Sequence, residues 1–165
     1  MRRADDRTRL VMRLAHDAGL RRTEIALIHS DDLSQDFIGW TLLVHGKGGK
    51  RRTVPLTPRL ALELRAHGHG WVFPGEIDGH LSPRRVGELA VAVLDAPWTL
   101  HTLRHSFATR THNLDGDTLT VQRLMGHASP ATTVRYVVLD DERLRGTVYR
   151  AAGVTEFEAR RANAR

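Results

Sequence analysis

His101, Arg104 and His105 stand at i, i+3 and i+4, so on a helix they share one face. Two imidazoles at that spacing could be read as a zinc pair. The glutamate of H-E-x-x-H is missing, however, and Arg104 would set a fixed positive charge beside the cation. An arginine between imidazoles suits an oxyanion better, because its planar fork matches two phosphate oxygens at once. Three further stations fit that chemistry. Gly19-Leu20-Arg21-Arg22-Thr23-Glu24 lies at a junction between two helical patterns. Gly46-Lys47-Gly48-Gly49 lets a lysine approach a phosphate without side-chain obstruction, although an ordinary charged hairpin loop reads the same way. It is not a P-loop, since the G-x-x-x-x-G-K-[ST] spacing is absent. Leu124-Met125-Gly126-His127 precedes Tyr136. Each station alone has a plain alternative: a solvated basic turn at Arg21, a helix C-cap neighbour at His127, a half-buried aromatic at Tyr136. Together they supply arginines, a lysine, histidines and a tyrosine, with no carboxylate cluster for a metal. That inventory describes metal-free phosphoryl transfer.

The elements that must hold these residues follow from periodicity. Leu10, Val11, Leu14 and Ala18 fall at helical spacing in residues 5–18, and Gly19 is a plausible stop. Residues 23–28 read as a short helix. The period then changes: Ile38, Trp40, Leu42 and Val44 alternate with polar positions, and residues 51–56 return after the glycine-rich turn. Lys47 therefore sits at the tip of a β-hairpin. Thr57-Pro58, Ser82-Pro83 and Ser129-Pro130 are three helix-start signals, a capping side chain directly before proline. Helices are also expected over 102–111, 118–125, 130–136 and 141–150, and Trp71-Val72-Phe73 is read as a third strand. The expected fold class is α+β, mainly α: a helical domain with a small antiparallel sheet of two to three strands.

Composition narrows the class. The 165 residues carry a net charge of +6 with ten histidines besides, which suggests an anionic partner, and 41% hydrophobic residues can build a core. Cysteine is absent, which removes disulfides, thiol catalysis and cysteine-based metal sites. No apolar run is long enough for a membrane span, so a cytoplasmic domain without membrane partner is expected. His67 and His69, in a glycine-rich turn, read as loop residues.

The order of motifs resembles the catalytic domain of the tyrosine recombinase (phage integrase) family over almost the whole length. The matching pieces are Ala18-Gly19-Leu20-Arg21 with Glu24, the run V-H-G-K-G-G-K-R-R-T-V-P over residues 44–55, H-T-L-R-H-S-F-A-T from His101, L-M-G-H-A-S from Leu124 and T-T-V-R-Y ending at Tyr136. The resemblance implies the catalytic set Arg21, Lys47, His101, Arg104, His127 and Tyr136, supported by Glu24 and His105. It implies attack by Tyr136 on DNA, a 3′-phosphotyrosine intermediate, no cofactor and no metal. The expected partner is double-stranded DNA, with a monomer in free solution, a homotetramer on DNA and nucleoid association when bound. Lys50, Arg51, Arg52, Arg84 and Arg85 are expected to contact DNA phosphates, though solvated surface charge is an equal reading for each. Residues 1–152 are read as the catalytic domain and 153–165 as a tail able to dock on a neighbouring protomer. The family's arm-binding and core-binding domains are expected to be absent, in a fragment or a minimal protein. A degenerate DNA-binding module and a topoisomerase-like enzyme of the same chemistry are the competing readings. A lysine in place of Arg104 is expected to slow cleavage and leave the melting temperature little changed.

Overall fold

The computed structural model describes residues 4–115, 117–126 and 141–154 of the chain. Asp5 opens α1 (Asp6–Asp17), its carboxylate accepting from the Thr8 amide at 2.7 Å. Leu10, Val11, Leu14 and Ala15 recur at helical spacing and are buried. Gly19, at φ +66°, turns the chain into the short α2 (Arg22–Ala26).

The sheet is antiparallel, in the order β1 (Leu33–Gln35), β2 (Trp40–His45) and β3 (Arg51–Leu56). Trp40, Leu42 and Val44 point inward from β2, opposite Leu56, Val54 and Arg52 of β3. The third strand is thus β1 and not the expected 71–73 segment. The amide of Val72 bonds the carbonyl of Ile28 and the carbonyl of Phe73 accepts from Leu81, so that backbone is divided between two loops. Trp71 makes only a single bridge, to His29. β1 pairs instead because Asp36 caps its turn, accepting from the amides of Ile38 and Gly39 at 2.8 Å each.

Thr57 and Ser82 cap α3 (Pro58–Arg65) and α4 (Pro83–Val91) as their Thr-Pro and Ser-Pro pairs predict. Between them the short β4 (Pro74–Ile77) folds back toward His80. α5 (Leu100–Asp115) extends beyond the expected 102–111 at both ends, and its earlier start follows from Thr99 and Thr102 capping each other's amides. α6 (Thr118–Met125) starts at Asp117 and ends on Gly126 at φ +60°, and α7 (Asp141–Ala151) closes the described chain. The expected 130–136 helix, His127, Tyr136 and residues 155–165 lie outside the described residues.

One apolar cluster joins α1–α4 to the sheet, and a second, containing Phe107, Leu124, Met125, Val148 and Tyr149, joins α5–α7. Arginines tie the second to the first. Arg145 of α7 donates to the Trp40 carbonyl at 2.6 Å, and Arg110 of α5 donates to the carbonyls of Ala151 at 2.8 Å and His16 at 2.5 Å. The result is the mainly helical domain with a three-stranded sheet that the sequence implies.

Candidate active site

Glu24 is the centre of the site. It lies in the first turn of α2 with 2% exposure, and burying a carboxylate is costly unless positive partners surround it. They do. The Arg21 amide donates to Oε2 at 2.7 Å and Arg21 Nη1 to Oε1 at 2.8 Å. Arg52 arrives from β3 as a two-pronged fork, Nη1 to Oε1 at 2.6 Å and Nη2 to Oε2 at 2.9 Å. Arg104 of α5 brings Nη1 to 3.7 Å from Oε2. Burial alone would raise the Glu24 carboxyl, but hydrogen bonds from Arg52 and the Arg21 amide outweigh it and hold the group below its ordinary 4.5. Three guanidinium groups around one carboxylate leave an excess of positive charge, which suits a phosphodiester anion.

Arg104 is only 5% exposed. Burial first, then the Arg21 and Arg52 charges, depress its pKa from 12.5 to about 10, partly offset by Glu24. Its Nη1 donates to the Gly19 carbonyl and its Nη2 to the Met125 carbonyl at 2.6 Å. These bonds use two of five N–H donors. Arg21 has a side chain 39% exposed and presents the cluster to solvent. The structure therefore brings Arg21, Glu24 and Arg104 together, as the resemblance implies.

The neighbouring residues divide differently from the sequence reading. His101 and His105 share the α5 face with Arg104 by spacing, yet both are exposed while Arg104 reaches inward. Among the described residues the contacts of the Glu24 cluster do not include His105. Nor do they hold any group of three or more His, Asp or Glu side chains disposed around a metal. Lys47 is exposed at the hairpin tip, where Gly48 and Gly49 take φ of 72° and 73° and the Gly46 amide closes the loop on the Lys50 carbonyl at 2.7 Å. Lys50 and Arg51 are exposed beside it. Arg84 and Arg85 are exposed on α4, each paired with Glu88, at 2.9 Å and 3.2 Å.

Arg52 departs from the expectation of a surface phosphate contact. Its side chain is 14% exposed and all three of its nitrogens donate, Nε to the Leu124 carbonyl at 3.0 Å in addition to the fork on Glu24. Strand parity carried the signal: Arg52, Val54 and Leu56 alternate onto one face, and the last two are buried.

Two glycines make room at the site, one for the Phe107 ring and one for the Arg52 guanidinium. A Cβ at Gly19 would lie 2.5 Å from Phe107 Cδ1, and one at Gly126 would lie 3.0 Å from Arg52 Nη1. Gly19→Ala is expected to lower stability by about 2–4 kcal/mol, from the left-handed backbone and the clash together. The urea midpoint would report it, and an unchanged midpoint would refute it.

Residues 1–143 match the phage integrase family. The tyrosine recombinase XerC of Xanthomonas campestris pv. campestris (strain B100) is 37% identical over 158 residues, covering 88% of this chain and 48% of that protein. XerC of Mesorhizobium japonicum is 38% identical over 152 residues, covering 84% and 48%. Among solved structures, the integrase from mycobacterium phage Brujita superposes with a TM-score of 0.72 at 32% identity, covering 98% of this chain and 57% of that one. XerH recombinase, bound to its difH substrate before cleavage, gives 0.62 at 25% identity, covering 87% and 46%. The chain spans about half the length of the curated relatives it matches. With its motifs in order and its paired arginines meeting on one buried carboxylate, the chain belongs to the phage integrase family of tyrosine recombinases.

Proposed function

We propose that this chain is the catalytic domain of a site-specific DNA recombinase that breaks and rejoins strands through a 3′-phosphotyrosine. The observation that carries the reading is the meeting of Arg21, at the α1–α2 junction, and Arg104, on α5, around Glu24. In the proposed reaction the Tyr136 oxygen bonds phosphorus as the bond to the 5′ oxygen breaks. Arg21 and Arg104 stabilise charge on the non-bridging oxygens, an electrostatic task for preorganised donors. His101 and His127 donate to the phosphate, and one of them takes the phenolic proton. Lys47 gives a proton to the departing 5′ oxygen, which an ammonium can do and a guanidinium effectively cannot. The covalent intermediate keeps the phosphodiester energy, so religation draws on no nucleotide cofactor. The partner is double-stranded DNA, with a tetramer assembled on paired sites. The chain would act in the cytoplasm, at the nucleoid; no helix among the described residues is long and apolar enough to cross a membrane.

Tyr149 is the other of the two tyrosines, and it is buried in the second apolar cluster, which favours Tyr136 as nucleophile. The test is incubation with nicked suicide substrates carrying candidate sites. A covalent protein–DNA band mapping to Tyr136 by peptide mass analysis is expected. Its absence, or an adduct on Tyr149, overturns the reading. Lys47 is tested through the leaving group: Lys47→Ala is expected to cleave an ordinary phosphodiester about 10²-fold or more slowly. A 5′-bridging sulfur leaves without a proton and should recover most of that rate. Without such recovery Lys47 is not the acid.

A further inference from the structure

Arg52 lies five residues beyond Lys47, on the strand that leaves the hairpin loop. It is paired across the sheet with Val44, and the next pair, His45 with Arg51, closes the loop. Its Nε holds the Leu124 carbonyl at 3.0 Å while Arg104 Nη2 holds that of Met125 at 2.6 Å. Two guanidiniums thus grip consecutive carbonyls at the negative end of α6, directly before Gly126 and His127. The same Arg52 forks onto Glu24. One side chain therefore joins the strand carrying the Lys47 loop to both the arginine cluster and the α6 terminus.

We infer that Arg52 is a positioning residue that holds the Lys47 hairpin against the phosphate site, so that proton delivery to the leaving oxygen depends on it. The inference rests on the proposed cleavage reaction. Lysine at this position keeps a positive charge beside Glu24 but cannot bridge both carboxylate oxygens and the Leu124 carbonyl together. The loop then loses its fixed bearing while the Arg21–Glu24 pair remains.

The experiment compares Arg52→Lys with the unmodified chain on two suicide substrates, one with an ordinary 5′ oxygen and one with a 5′-bridging sulfur. The variant is expected to form adduct about tenfold or more slowly on the oxygen substrate and within about threefold of normal on the sulfur substrate. Adding Arg52→Lys to Lys47→Ala should change oxygen-substrate cleavage by less than about threefold. Equal slowing on both substrates would assign Arg52 to general structural support, and no slowing on either would remove it from the reaction. Either result overturns the inference. Adduct formation by the unmodified chain is scored separately, so failure of the recombinase reading cannot be confused with failure of this one. Should Arg52→Lys not fold, Gly126→Ala displaces the guanidinium without deleting it, since its Cβ would lie 3.0 Å from Nη1. The same split between oxygen and sulfur is then required.

Discussion

Glu24→Gln is expected to destabilise the domain by about 3–5 kcal/mol, because it leaves buried guanidinium charge without its anion. The amide is nearly the same shape as the carboxylate, so packing is retained and the loss reports charge. Gln also points an NH₂ at donors it cannot accept from. The pH dependence gives a sharper signature. The folded carboxyl titrates below its ordinary 4.5, so its stabilising contribution is complete above that value and is lost as acid takes the pH down through the lower folded value. The gap in stability between the two proteins should therefore be widest near neutrality and close in acid. Urea midpoints measured across the acid range decide it. A gap independent of pH would mean that Glu24 contributes shape alone.

Arg104→Lys is expected to slow adduct formation by about 10²–10³-fold, the usual cost of removing one preorganised oxyanion donor. The structure changes the companion expectation that melting would barely move. Arg104 bonds the carbonyls of both Gly19 and Met125, and so ties the α1–α2 junction to the end of α6. A single ammonium cannot span both. In a site where burial and the Arg21 and Arg52 charges already depress a guanidinium, an ammonium is driven toward its neutral form. A fall in melting temperature of several degrees should accompany the lost rate. Near-normal cleavage by this variant would sink the clamp assignment.

Much of this arrangement was legible because helices advertise themselves locally. Thr57 and Ser82 are caps whose meaning is contained in a few neighbouring residues, and the starts of α3 and α4 follow from them. Glu24 and Arg104 were identifiable by motif, and the structure adds the Arg52 fork that holds the first and the backbone carbonyls that hold the second. β1 was missed because three residues with no apolar alternation carry no period, and its pairing depends on a turn closed by Asp36. Arg52 was misplaced because a Lys-Arg-Arg run looks like a solvated surface. Strand parity with Val54 and Leu56 marks which arginine of the run turns inward, and the carboxylate it meets lies on a distant helix. His101 and His105 show the converse: shared helical spacing with Arg104 did not give shared burial, since long side chains from one face can aim differently.

The bonds that build the clamp join residues far apart in the chain: Arg104 to Gly19 spans 85 positions and Arg52 to Leu124 spans 72. Contacts of that range form only after large loops have closed, at an entropic cost that local helical contacts do not bear. On the proposed reading, a thermally loosened chain holds the nucleophile and the basic surface but no assembled means of activating a phosphate. On that reading, activation of a phosphate waits on the completed fold.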